Sequence, residues 1–279
     1  MPKYKRVYIE ITNICNMNCS FCHGHSRANR RMTADEFNHI LDSLHGVTDY
    51  VYYHLMGEPL THPELPDFIK KAGEKGFKSV LTTNGTLLDR CGDAILEAGL
   101  HKVSISVHSF ENGSKDAFEK YMNTITDFVR KANEAGVIIV FRLWNNGGGD
   151  NMNDDVISFL QSRFSDDWTE NSKGYRLRNK MFLEWGDRFG WPDKDADIQG
   201  EEVFCYGLRD HFGILCDGTV VPCCLDSDGV INLGNIFKDG VKEILSSERV
   251  TAMVDGFSCR KATEDLCRRC AYAQRFNKQ

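Results

Sequence analysis

Short apolar runs alternate with longer mixed stretches over the first half of the chain. Residues 7–12, 50–56, 78–83, 102–108 and 137–144 read as strands. Between them, residues 34–44, 66–75, 89–98 and 115–135 read as helices. Thr33-Ala34-Asp35-Glu36 is a capping box that opens the first helix. Gly76, Gly99 and Gly136 stand where the next three should stop. Strands separated by helices predict a parallel sheet covered by helices, with chemistry gathered at the C-terminal strand ends. Residues 145–154 form a glycine-rich break; no Lys-Ser/Thr follows it, so a flexible loop is expected there rather than a phosphate cradle. A helix over 155–164 and a sixth strand over 175–182 follow. From Gly200 the pattern changes: residues 212–222, turning at Asp217-Gly218, predict a β-hairpin, and 239–246 a helix.

The predicted strand ends are polar where the strands are not: Thr12-Asn13, Met56-Gly57-Glu58, Thr83-Asn84-Gly85, Val107-His108-Ser109 and Arg142-Leu143-Trp144. A formal net charge of −6 gives no basic footprint for nucleic acid. The cluster Arg27, Arg30 and Arg31 reads as a solvated loop. No apolar run reaches the roughly 18–20 residues of a membrane span, and no secretory segment precedes the first strand, so a cytoplasmic location is expected. Eleven cysteines in a reducing compartment then point to metal or redox chemistry rather than disulfides. Their uneven distribution suggests two centres.

The first centre is Cys15, Cys19 and Cys22, on one short loop after the first strand. Three thiolates on a [4Fe–4S] cluster leave one iron open for an outside ligand. The alternative is a structural zinc site with His23 or His25 as fourth ligand.

The CxxxCxxC spacing with Phe21 before the third cysteine resembles the signature of the radical S-adenosylmethionine (SAM) superfamily. Met56-Gly57-Glu58-Pro59 at the next strand end is similar to that family's Gly-Gly-Glu motif, with Met in the first place. The resemblance implies an α/β fold, a partial (β/α)6 barrel. It implies that Cys15, Cys19 and Cys22 hold the cluster and that SAM chelates its open iron. Glu58, beside Gly57, would accept from the SAM ammonium in a charge-assisted pair. Phe21 would lie near the adenine and Asn84 near the ribose and methionine moieties. Ser106, His108 and Arg142 are candidates for the SAM carboxylate. Ser106 and His108 are equally explained by strand packing, whereas Arg142, between Phe141 and Leu143, needs an anionic partner. A reduced cluster of this kind cleaves SAM to methionine and a 5′-deoxyadenosyl radical, which takes a hydrogen atom from substrate. A low-potential electron donor such as flavodoxin or ferredoxin is implied.

Downstream, Cys205, Cys223, Cys267 and Cys270 combine a hairpin base with a distant CxxC, resembling the twitch or SPASM domain that carries an auxiliary [4Fe–4S] cluster. Zinc is the alternative occupant. Residues 1–199 are thus expected to form the barrel and 200–279 a small β-hairpin and helix iron–sulfur domain. Over its whole length the chain resembles the butirosin-pathway aminocyclitol dehydrogenase, with the anaerobic sulfatase-maturating enzymes as longer cousins. Cys216 and Cys259 become buried small hydrophobes, with Cys259 a substitute ligand, and Cys91 a buried structural thiol. Cys224, beside a presumed ligand, is a candidate hydrogen-atom donor. Asp226 stands two places beyond it, where the sulfatase-maturating relatives carry a carboxylate base just after the matching cysteine.

The expected function is radical abstraction from a peptide or small polar substrate. Two-electron dehydrogenation comes first, and epimerisation or thioether formation on a peptide second. A non-catalytic zinc or iron–sulfur scaffold is the reading of another class. Trp168, Trp185, Trp191 and the acidic run 193–197 receive no role.

Overall fold

The computed structural model describes residues 3–148, 152–164 and 167–276. Strands β1 (Arg6–Ile9), β2 (Tyr50–Tyr53), β3 (Lys78–Thr83), β4 (Lys102–Ile105) and β5 (Ile138–Asn146) alternate with helices α1 (Ala34–Ser43), α2 (Leu65–Glu74), α3 (Leu88–Glu97) and α4 (Lys115–Glu134). Helix α5 (Asn153–Arg163) leads into β6 (Thr169–Asn171), β7 (Gly174–Arg178) and β8 (Met181–Asp187). The hairpin β9 (His211–Ile214) and β10 (Val220–Val221) precedes α6 (Val241–Leu245), α7 (Glu248–Ser258) and α8 (Asp265–Arg268). Local signals are obeyed where predicted. Thr33 and Glu36 exchange side-chain-to-backbone bonds at the start of α1, and Gly76, Gly99 and Gly136 follow their helices with φ of 85°, 90° and 77°.

One sheet runs in the order β10-β9-β1-β2-β3-β4-β5-β8-β7-β6. β1 to β5 and β8 are parallel neighbours in turn. β9 joins the far side of β1, also in parallel. The sheet ends, β10 and β6, are not paired with each other, so the curved sheet is open: a partial (β/α)6 barrel.

Strand parity explains the two faces. Val7, Ile9, Val51, Tyr53, Val103, Ile105, Phe141 and Leu143 are fully buried against the helices. Each such side chain contributes roughly 1.5–3 kcal/mol. The alternate positions, such as Tyr8, Tyr52, Ser104 and Arg142, face the hollow of the barrel. Those positions are polar and aromatic, so the interior is a cavity rather than a second core.

Several elements differ from expectation. Residues 175–182 are not one strand but the turn of the β7–β8 hairpin, with Lys180 at φ 59°; the sixth parallel strand is β8. β4 stops at Ile105, and a 3-10 turn, Val107–Ser109, carries the chain across the barrel mouth. Helices α7 and α8 were not anticipated, although Val250, Met253 and Phe257 form a buried stripe on α7. Within the glycine-rich break, Asn145 and Asn153 bond each other side chain to side chain at 3.0 and 3.1 Å; residues 149–151 lie outside the described residues. No helix among the described residues is long and apolar enough to cross a membrane.

Candidate active site

The cysteine loop leaves β1 through Thr12-Asn13 and is tied off at its neck. Asn13 Nδ2 donates to Ala28 O (2.9 Å) and Asn13 Oδ1 accepts from Arg30 N (2.7 Å). Its tip is held from afar. Ser20 N donates to Glu111 (2.7 Å), Trp191 Nε1 donates to Phe21 O (3.0 Å), and Arg188 donates to Ser20 O (3.3 Å). Trp191 therefore has a role that no local pattern announced. Cys15 and Cys22 are exposed and Cys19 is half-buried. Burial, then Glu111, Cys15 and Cys22, push the Cys19 thiol up to about 12; Cys15 is also raised, chiefly by burial. Thiols raised in this way need a positive centre nearby to ionise. Of the two histidines named for a zinc site, His25 Nε2 lies 2.9 Å from Asn13 O, and His23 stacks at 6.1 Å from Trp191. Among the described residues no three Cys, His, Asp or Glu side chains gather tightly enough for a single ion.

The exit of β2 packs directly on the exit of β1. Gly57 has φ 76°, and a Cβ there would lie 2.5 Å from Thr12 O, so glycine is required twice over. Glu58 N donates to Ile14 O (2.9 Å). The Glu58 carboxylate is buried and accepts from Thr83 Oγ1 (2.7 Å), Asn84 N (2.7 Å) and Leu60 N (3.0 Å). Burial nevertheless pushes it up to about 7. With three of about four acceptor positions filled, room remains for one donor. Asn84 reaches back to the cysteine loop, donating to Asn16 Oδ1 (3.0 Å).

Glu10 went unnoticed in the sequence. It is fully buried at the end of β1 and paired with Arg27 (2.7 Å). It also accepts from Met56 N (3.2 Å), Cys216 N (3.2 Å) and Cys216 Sγ (3.0 Å). Arg27 is thus no solvated side chain: it neutralises the carboxylate that knits β1, the β2 exit and the second hairpin together. Arg30 pairs with Glu36, and Arg31 is exposed as expected.

The barrel interior is a cavity of about 440 Å³. Phe21, Ser106, His108 and Arg142 all line it. His108 Nδ1 lies 2.8 Å from Arg142 O, and its ring centroid is 4.8 Å from that of Phe21. Burial holds His108 down at about 4, so it is neutral near pH 7. Arg142 lies over Trp144 at 3.6 Å, and burial lowers it. Its Nε is buried without a hydrogen-bond partner, and no carboxylate among the described residues pairs with it. Glu184, its cross-strand neighbour on β8, attracts Arg142 without forming an ion pair with it.

Cys224 lines the same cavity beside Tyr8, whereas Asp226 does not. The Asp226 carboxylate is buried and accepts from Val230 N (2.9 Å) and Ile231 N (2.8 Å), which closes its own loop. Cys205, Cys223, Cys267 and Cys270 line a separate, small cavity of about 30 Å³. Burial raises all four thiols, Cys270 to about 11. All four line it together, and four thiolates are the ligand set of a [4Fe–4S] cluster. Cys216 is buried but faces Glu10, Cys91 is half-buried, and Cys259 is exposed at the end of α7, contrary to the expectation of burial.

The profile of the "Radical SAM superfamily" matches residues 9–160, just over half of the chain. That of SPASM, an "Iron-sulfur cluster-binding domain", matches residues 205–271. An AdoMet-dependent heme synthase of Methanosarcina barkeri is 31% identical over 134 residues, covering 44% of this chain and 38% of that protein. The alignments with the first curated relatives span only about a third to a half of those proteins. BtrN in complex with AdoMet and 2-DOIA superposes with a TM-score of 0.60 at 16% identity, covering 96% of this chain and 93% of that one. For anSMEcpe with bound AdoMet the TM-score is 0.62 at 14% identity, covering 98% and 95%. At such identities the likeness is one of fold.

Proposed function

The chain belongs to the radical SAM superfamily and carries a SPASM domain, and from that premise we propose that it performs a two-electron dehydrogenation on a substrate held inside its barrel. The two domains imply [4Fe–4S] clusters, with SAM as cosubstrate. Cys15, Cys19 and Cys22 would hold the first cluster; Cys205, Cys223, Cys267 and Cys270 the second. Residues 1–199 are assigned to the barrel and 200–279 to the auxiliary unit. With these groups bound, the chemistry supplied is a 5′-deoxyadenosyl radical that takes one hydrogen atom from a substrate C–H bond, after which one more electron and a proton must leave.

The observation that carries this reading is one shared cavity. Phe21 from the cysteine loop, His108 and Arg142 from the strand ends, and Cys224 from the auxiliary hairpin all border it. Substrate therefore sits between the two cysteine sets. Glu58, Asn84 and Gly57 fix the SAM side: Glu58 orients an ammonium, while Asn84 pins the cysteine loop. Tyr8, Tyr52 and Trp144 exclude water from the reacting centre. A reduced flavodoxin or ferredoxin supplies the electron.

A second reading has one observation in its favour. Cys224 faces the substrate cavity while Asp226, the alternative base, is turned into its own loop. A hydrogen atom returned by the Cys224 thiol would give an isomer instead of an oxidised product. Turnover in deuterated water separates the two. Dehydrogenation yields a product two hydrogens lighter with no solvent deuterium. Return from Cys224 yields a product of unchanged composition carrying one deuterium, and Cys224→Ala abolishes it.

A further inference from the structure

The barrel cavity is strongly cationic at the end away from the cysteine loop. Arg6 and Lys102 are the first residues of β1 and β4, and both line the cavity; Lys173 lines it too, as does Arg142 from the opposite, strand-exit end. Glu184 is the acid among the lining residues. Among the described residues, no carboxylate forms an ion pair with Arg6, Lys102, Lys173 or Arg142, and Nε of Arg6, like that of Arg142, is buried without a hydrogen-bond partner. Arg6 lies 5.6 Å from the centre of the Tyr52 ring and interacts with that side chain, while its Nε stays without a partner. The histidines beside these cations do not add to the charge: burial, then Arg142 and Arg6, hold His54 down at about 3. Lys102 is lowered chiefly by burial; Glu184 opposes this, while Arg6, Lys173 and Arg142 add to it.

Cations concentrated in a half-enclosed cavity, with the Nε donors of Arg6 and Arg142 unfilled, are arranged for an anion that arrives from outside. The SAM carboxylate is expected at the other end, near Ser106; the backbone of Lys102 lies four residues earlier on the same strand, about 13 Å away at the usual strand rise.

We propose that the substrate carries a carboxylate or phosphate group that docks between Arg6 and Lys102 at the floor of the barrel, anchoring the molecule so that its reacting carbon points up toward the SAM site. The inference rests on the radical SAM reading of the same cavity and names the chemical class of its substrate. It also bounds the size: about 440 Å³ takes a small anionic molecule or a single acidic side chain of a larger one.

The test uses the anaerobically reconstituted protein saturated with SAM, titrated calorimetrically with inorganic phosphate and, separately, with glutarate. Saturable binding of at least one probe is expected. Arg6→Gln and Lys102→Gln should each weaken it tenfold or more at unchanged iron content, and Arg6→Lys should recover most of the affinity. Binding of phosphate alone identifies a phosphorylated substrate, and of glutarate alone a carboxylate. Absence of binding by both probes, or equal binding by wild type and both Gln variants, overturns the proposal. Deoxyadenosine formation is measured on the same sample. Anion binding without deoxyadenosine would keep the site and sink the enzymatic reading; deoxyadenosine without anion binding would do the reverse.

Discussion

Replacing Gly57 by alanine probes the contact on which the SAM side of the site is built. The residue has φ 76°, where a non-glycine backbone costs about 1–2 kcal/mol. The added Cβ would meet backbone on β1 at 2.5 Å (Thr12 O), 2.8 Å (Asn13 C) and 2.9 Å (Asn13 Cα). Backbone cannot swing aside as a flexible side chain does, and overpacking of this kind costs about 1–3 kcal/mol. The combined loss of roughly 2–5 kcal/mol should lower the melting temperature of the reconstituted protein by roughly 4–20 °C. A local effect should accompany it. If the β2 exit backs away from Thr12, the 2.9 Å bond from Glu58 N to Ile14 O lengthens and Glu58 leaves its place opposite Asn84. SAM affinity, read by equilibrium dialysis, should fall at least tenfold. A Gly57→Ala protein melting within about 2 °C of wild type with unchanged SAM affinity would refute the reasoning.

Three further outcomes are expected. Glu10→Gln leaves the half-buried Arg27 without its counter-charge, so urea unfolding should register a loss of about 2–4 kcal/mol; a loss under about 0.5 kcal/mol would remove the pair from the account. Burial holds Glu58 at about 7, above its ordinary 4.5, so stability from this group is fully present below about 4.5 and is lost as pH rises through 7, while the ionised form that pairs with an ammonium appears over the same window. SAM affinity should therefore rise with pH and level off above about 7, and Glu58→Gln should flatten the profile; a wild-type profile already flat from pH 5 to 8 would contradict it. Cys267→Ala should lower iron from about eight to about four atoms per chain while the signal of the first cluster persists, and full iron retention would exclude Cys267 as a ligand.

What was legible in the sequence followed the range of each interaction. The cysteine loop, Glu58 and the helix stops are written in spacings of a few residues, and all stand where those spacings put them. That β1 to β5 form a parallel sheet followed from alternation alone. The β7–β8 hairpin did not, because Asn179-Lys180 turns the chain within an unbroken run of strand-like residues. The Glu10–Arg27 pair was hidden because each residue reads locally as a surface charge, and only the fold brings Glu10 against the hairpin that carries Cys216. The cationic floor was hidden by parity. Arg6 and Lys102 begin otherwise apolar strands, and a charged first residue ordinarily points to solvent; here the open barrel turns both inward. Arg142 was readable as an arginine in need of an anion, but not that this anion must come with a ligand.

The most direct test of the central claim is to reconstitute the protein anaerobically, measure iron and zinc, and quantify 5′-deoxyadenosine after adding SAM and dithionite. The account predicts about eight irons per chain, little zinc and steady deoxyadenosine formation that Cys19→Ala abolishes. Stoichiometric zinc with no deoxyadenosine would contradict it.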